Sequence, residues 1–447
     1  KSIFIEPFIF ISVIKNIKIK IMRFLISVIL LFTSTIYFSQ EEENSNVEPA
    51  SNSHLNKNLN ADSTKWAEQD KKPELIELEE EGAGSAVEDE DQLKLNSISI
   101  QKDTKARKKN KKYDKTPSKE VKKVSSFKSE SIIKANKKIY TNKKISTFQS
   151  YQRNPTNEQQ KEMNQANDII KQQAPNSFDY NLNKYVIGNY NTNNYSNLKS
   201  AELINPNSEE VIKQMAAHNL IIDNDLKSEL YLKKLKDNQQ LDVQSINYCE
   251  DLLESTPENG TLITHGMLDS YGAHYNQITN QKRTDVEIIN LDFLQSKTYQ
   301  QKLIKKGYFI PDSKNIDVSF FKEFCENNND KNIALSLTIP KDYFIPIIDK
   351  IYVVGLVFEY HLNTPPDGLM NKNEVLWNNK MNKSIISSKE TGTIKLASNY
   401  LPMLLNLRKY FKEKGDNQKV LEINRQIELI SKKCNKTKKV SKIKSSY

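Results

Sequence analysis

The residues with the best combination of type and spacing for chemistry sit in one stretch, TLITHGMLDSYGAHY, residues 261–275. It holds His265 and His274, two of the chain's five histidines, with Asp269 between them. The spacing H-x3-D-x4-H is not the i, i+4 histidine pair with which zinc hydrolases hold their metal. Five positions on a helix turn a side chain by about 140° at about 100° per residue, so Asp269 and His274 do not share a face. No metal and no cofactor is expected. Asp269 ahead of a helical run reads as an N-cap and Gly266 as a turn glycine. In an open α/β sheet, ligands bind outside the C-terminal ends of the strands. Two such ends are polar here, Thr264-His265 and Asn290-Leu291-Asp292. If the strands are neighbours, His265, Asp269, Asn290 and Asp292 converge beside a helix N-terminus, where an anionic or hydroxyl-rich ligand is favoured. The competing reading is a plain structural turn.

The elements that must position these residues alternate in period. TLIT (261–264) is a short strand opened by Asn259-Gly260, and 270–281 is helical. VEIINL (286–291) is a second strand and KTYQQKLIKKG (297–307) a second helix ended by Gly307. NIALSLTI (332–339) is a third strand closed by Pro340, and YVVGLVFEY (352–360) a long apolar fourth. Strands alternating with helices of this length predict βαβ units in a small, mainly parallel sheet. Helices flank it. NEQQKEMNQANDIIKQQ (157–173) ends at Ala174-Pro175, and 178–195 stays unassigned among its asparagines. Ser208 is a good N-cap for EEVIKQMAAHNLII, whose apolar stripe runs Val211, Met215, Ala216 or Ala217, Leu220. LKSELYLKKLKD follows after Asp223-Asn224-Asp225. Residues 399–433 make another helical pair joined at Gly415-Asp416. Paired helices split by a polar turn resemble tetratricopeptide-type repeats. Trp377 is placed in a surface loop.

Four motifs in order carry a family resemblance: P-x-N-G-T-L-I-T-x-G-x-x-D (257–269), R-x-D-V-x-I-I-N-L (283–291), IALSLTI and I-Y-V-V-G-L-V-F-E-Y. Together they resemble the extracytoplasmic C-terminal region of bacterial glycosyltransferase-like, protein O-mannosyltransferase-like membrane proteins. That region is often accompanied by tetratricopeptide-like helices. His265 stands where the family has Asn, and Met267 where it has an acid, while Gly266 and Asp269 match. The membrane part that would hold the sugar-transfer chemistry has no counterpart after Ser39. The resemblance therefore implies a relative of the accessory region rather than a glycosyltransferase.

Charge and composition bound the rest. Hydrophobic residues are 37% of 447, a low share for a fully folded chain. Met22-Arg23, the apolar run FLISVILLFTSTIYF and Ser39-Gln40 read as an export signal, with Met22 as the start and 1–39 as upstream segment plus signal peptide. The net charge of +10 is not a surface property of the body. Residues 41–91 carry 16 acidic against 4 basic side chains, and 103–144 carry 16 basic against 4 acidic. Residues 40–150 are expected to be a disordered charged linker without useful apolar periodicity. The basic block offers contact to a glycan or an anionic surface but lacks the interleaved aromatics of nucleic-acid binders, so no nucleic acid is expected. No G-x-S-x-G elbow, Walker loop or dinucleotide fingerprint is present, and 11 glycines leave little for a phosphate cradle. Three scattered cysteines specify neither a disulfide framework nor zinc.

The organisation expected is a helical, tetratricopeptide-like part (151–256), an α/β domain (257–395), a C-terminal helical hairpin (396–434) and a basic tail (435–447). The function expected is that of an exported, non-catalytic accessory protein in the periplasm or outside the cell. It would bind another envelope protein and would not span the membrane after signal cleavage. The alternative is a carbohydrate- or small-ligand-binding domain, or an enzyme, with its pocket at the strand ends.

Overall fold

The computed structural model describes residues 119–148, 151–363, 365–388 and 394–446. The export signal, the acidic block and the start of the basic block lie outside them. The α-helices longer than a single turn are α1 (Lys119–Phe148), α2 (Asn157–Gln173), α3 (Phe178–Val186), α4 (Tyr195–Ile204), α5 (Glu209–Ile221), α6 (Asp225–Asp237) and α7 (Val243–Glu254). They continue with α8 (Gly266–Ile278), α9 (Lys297–Lys305), α10 (Val318–Asn327), α11 (Leu369–Val375), α12 (Leu401–Glu413), α13 (Asn417–Lys433) and α14 (Thr437–Lys444). The strands are β1 (Thr261–Thr264), β2 (Glu287–Asn290), β3 (Ile333–Ser336), β4 (Ile351–Val354) and β5 (Val357–Tyr360).

The α/β core and its flanking hairpins are as the sequence predicts. The sheet order is β2-β1-β3-β5-β4. β1 runs parallel to β2, with Thr264 opposite Asn290, and parallel to β3. The segment read as one long fourth strand is instead a hairpin: β5 pairs antiparallel with both β3 and β4. Gly355, at φ +56, turns the chain between them. The sheet is therefore mixed, its parallel half made by the three strands read from sequence.

Side chains answer the sheet's outer backbone groups. The Tyr299 hydroxyl donates to the Ile288 carbonyl at 3.2 Å and accepts from the Asn290 N–H at 3.3 Å. Asn373 on α11 does the same at β4, donating to the Val353 carbonyl at 2.9 Å and accepting from Gly355 N–H at 2.7 Å.

The two motifs around β1 owe their residue types to one junction. The Arg283 guanidinium donates to the carbonyls of Leu253, Thr256 and Pro257 at 2.6–3.2 Å, closing the end of α7 onto the strand. Asp285 grips the same guanidinium twice at 2.9 Å and accepts from the Asn259 N–H. The hydrogen bond from Arg283 holds the Asp285 carboxyl down at about 2. A planar fork with five donors fits this arrangement and a lysine does not.

Local capping explains the helical part. Ser208 accepts from the Val211 N–H, and Val211, Met215, Ala216, Ala217 and Leu220 are all buried. Thr156 and Gln159 form a reciprocal capping box at the start of α2.

Four expectations are corrected. Residues 119–148, read as charged linker, form α1. Ala135 and Ile139 are buried against Met163, Ala166 and Ile170 of α2, with Ile132 packed on the same cluster. That stripe of i, i+3 or i+4 positions is short and sits among lysines, so its period is easy to miss. Residues 178–186, left unassigned, form α3. Its Ser177 cap accepts from the Tyr180 N–H. Trp377 is 6% exposed in a π-helical turn and edges onto Tyr400 rather than lying in a surface loop. The basic tail contains α14, which buries Val440 and Ile443. Among the described residues the three cysteines are free, and no helix is long and apolar enough to cross a membrane.

Candidate functional site

The four residues expected to converge do so, at the C-terminal ends of β1 and β2. Helix α8 starts at Gly266 rather than after Asp269, with His265 at the N-cap. Asp269 is therefore not the cap. It sits in the first turn, and its carboxylate reaches back to accept the His265 N–H at 3.2 Å. The same oxygen accepts from the Thr338 hydroxyl, just past β3, and the other accepts from the Ser270 N–H at 3.0 Å. Burial pushes the Asp269 carboxyl up to about 6, against hydrogen bonds from Thr338, His265 and Ser336. From β2, Asn290 donates to the Gly266 carbonyl at 3.4 Å and accepts the Asp292 N–H at 2.7 Å. The connection from β1 runs to β2 on one side and the connection from β3 runs to β4 on the other, so the ends of the neighbouring β1 and β3 form a topological switch point.

A residue that sequence reasoning missed occupies this place. Arg153, on the strap between α1 and α2, is 2% exposed, and its Nη1 lies 2.6 Å from His265 Nε2 and 3.9 Å from Asp292. A guanidinium has donors only, so the imidazole Nε2 is the acceptor and the ring is neutral. Burial first, and then the Arg153 charge, bring His265 down to about 4, although Asp292 and a hydrogen bond to the Thr338 backbone favour protonation. The guanidinium also lies 5.7 Å from the centre of the Tyr343 ring. The strap is pinned by the Arg153 N–H on the Ile316 carbonyl at 3.0 Å and by Asn154 Oδ1 on the Ile316 N–H at 2.7 Å. Lys143 of α1 reaches the same region. It donates to Asn189 at 2.7 Å beside the Tyr190 ring, and burial lowers its ammonium to about 8 while Asp292 opposes the shift. The signal for Arg153 was scarcity: six of the 66 basic residues are arginines, and a buried pairing is what arginine does better than lysine.

His274 is separate from this cluster. Burial, with Lys302 and Lys306 nearby, lowers it to about 3. Among the described residues no group of His, Cys, Asp and Glu is placed to hold a metal. An open cleft of about 260 Å³ lies at the other end of the sheet, lined by Pro257, Asn332, Glu359 and His361. The charge on its floor is already paired, since Glu359 contacts Lys372 and the His361 Nε2 at 3.3 Å.

Three histidines, His218 buried and His265 and His274 half-buried, make acid the condition that opposes folding. His218 is 3% exposed, stacked at 4.0 Å on Tyr195, and burial lowers it to about 4. Each histidine is lowered from its ordinary 6.5, so the unfolded chain binds more protons below that pH. Their contribution is present above about 6.5 and is lost as pH falls through about 4. Asp269, raised from 3.8, acts in the opposite direction, gaining stability as pH falls through about 6, and offsets one of them. For His218 the linkage is about 3 kcal/mol as an upper bound. Urea unfolding at pH 7 and pH 4.5 should show a fall in stability that His218→Phe reduces. An unchanged difference would exclude His218 as a source.

The sheet, its paired helices and the closed crevice define an α/β domain with helical hairpins at both ends and a charged group held at its strand ends. Residues 245–444 match the family described as TMEM260-associated domain 2. No curated protein and no solved structure matches the chain. The match begins in α7 and ends with α14, so it contains His265, Asp269, Asn290, Asp292 and Tyr343. Arg153 comes from outside it.

Proposed function

We propose that this chain is an exported, non-catalytic interaction protein of the cell envelope, related to accessory regions of glycosyltransferase-like membrane proteins. The observation that carries the reading is the state of the strand-end crevice. Its polar side chains are committed to one another and to Arg153, so that none of these four presents itself to an open pocket. The family match over 245–444 supports kinship with a membrane-protein-associated domain, and the segment from Met22 to Gln40 supports export. The side chains proposed to meet the partner are the most exposed leucines of the helical part, Leu203 on α4 at 82% and Leu226 on α6 at 83%.

The test uses the full chain as bait in envelope extracts. The wild type should retain a partner that the double variant Leu203→Asp, Leu226→Asp loses while its circular dichroism is unchanged. Equal capture by both baits, or none by either, would overturn the reading. A second reading, a carbohydrate- or small-ligand site at the strand ends, draws on the convergence of His265, Asp269, Asn290 and Asp292. It requires Arg153 to withdraw.

A further inference from the structure

The crevice at the strand ends has the chemistry of a receptor for one particular group. A guanidinium needs acceptors for its N–H donors, a nearby negative charge and a flat apolar or aromatic surface for its face. His265 supplies a neutral imidazole acceptor at 2.6 Å, Asp292 a carboxylate at 3.9 Å, and Tyr343 an aromatic ring at 5.7 Å. Each of these is itself fixed. The main chain at His265 is held through its backbone N–H by Asp269, that at Asp292 through its backbone N–H by Asn290, and the Tyr343 ring through its hydroxyl, which donates to the Ile316 carbonyl at 2.6 Å. The binding geometry therefore belongs to the α/β domain, not to the strap.

The occupant, by contrast, comes from another stretch of the chain. Arg153 lies outside the family-matched region that supplies the three groups around it. The helices on either side of it, α1 and α2, bury their apolar residues in a small cluster that adds only Ile187 and Tyr180 from the α3 segment and is distinct from the main core. The strap meets the body as a short extended segment, with Gln152 bridged antiparallel to Asp317 and residues 153 and 154 bonded to Ile316. This is how an extended peptide docks: backbone pairing sets its direction and one side chain enters a pocket.

We infer that the strand-end crevice, formed by His265, Asp292 and Tyr343, is a receptor for an arginine side chain on an extended segment of a partner protein, and that Arg153 is its occupant within this chain. The inference rests on the interaction reading and names the chemistry that such a partner presents. Displacing the strap exchanges one guanidinium for another, with Ile316 free to pair with the incoming backbone. The exchange returns a guanidinium to the side of the half-buried Asp292.

The probe is a fluorescent synthetic peptide of residues 151–158, titrated against the full chain carrying Arg153→Ala and followed by anisotropy. The variant is expected to bind it at least tenfold more tightly than the wild type, whose own strap competes. A peptide with lysine in place of the arginine is expected to bind at least tenfold more weakly. No binding to the variant, or equal binding of the arginine and lysine peptides, overturns the inference. Should Arg153→Ala fail to fold, Arg153→Lys is used with methylguanidinium. That cation should raise its thermal midpoint more than methylammonium does at the same ionic strength, and equal effects of the two overturn the inference. Loss of partner capture on changing Leu203 and Leu226 is read separately, so the interaction reading can survive failure here.

Discussion

Gly355→Ala is expected to destabilise the protein by about 4 kcal/mol or more, from overpacking and left-handed backbone strain together. The position has φ +56, and a Cβ there would stand 2.2 Å from Ser255 Oγ and 2.9 Å from the end of Met381. Ser255 has no room to yield. Its hydroxyl donates to the Asp251 carbonyl at 2.7 Å and accepts the Leu356 N–H at 2.9 Å, both buried. Moving it breaks two hydrogen bonds to relieve one clash. Gly266 is the control: at φ +76 its added Cβ would meet nothing within 4 Å, so alanine there costs only the backbone strain of about 1–3 kcal/mol. Urea unfolding of both variants checks this, and equal midpoints would show that the Ser255 contact is absorbed.

Asp251→Ala is the second large effect, expected at about 3–5 kcal/mol, because hydrogen bonds to a charged group contribute about 1.5–3 kcal/mol each and three are lost together, not additively. Asp251 is 1% exposed on α7 and accepts from the Tyr400 hydroxyl and from the N–H groups of Asn382 and Lys383. One carboxylate thus fastens the α/β core to the segment that leads into α12. Alanine leaves three donors without this acceptor, the Tyr400 hydroxyl among them fully buried. Asparagine should recover part of the loss, because a carboxamide keeps one acceptor oxygen. Hydrogen exchange should show protection lost in 382–413 before the strands are affected. Uniform loss across the sheet would mean that Asp251 does not act as a local fastener.

The same neighbourhood shows what a sequence displays and what it hides. TLIT, VEIINL and NIALSLTI were legible because short apolar, β-branched runs bounded by turn residues behave the same way in any sheet. YVVGLVFEY was not, because its turn is buried. Leu356 is fully covered, so the polar residues that usually mark a hairpin are absent, and a single glycine is all that interrupts the run. The strand-end residues were legible from the rule that such ends converge. Asp269 was placed at the right site with the wrong role, since a carboxylate that reaches back to the N-cap N–H looks, in sequence, like the cap itself. Arg153 was hidden for a different reason. It lies 112 positions from His265, and nothing local to residues 151–156 announces where a strap will land.

The side chains of Tyr299 and Asn373 carry a consequence for how this protein meets others. Each imitates a neighbouring strand at one flank of the sheet, taking a carbonyl and an N–H that a sixth strand would otherwise claim. Five short strands with bare flanks would offer a template for any extended chain, including copies of this one. With both flanks answered, the sheet does not grow. Pairing is thereby discouraged at the sheet's edges, so that an extended chain docking elsewhere on the body would be selected by the side chain it carries rather than by being merely extended.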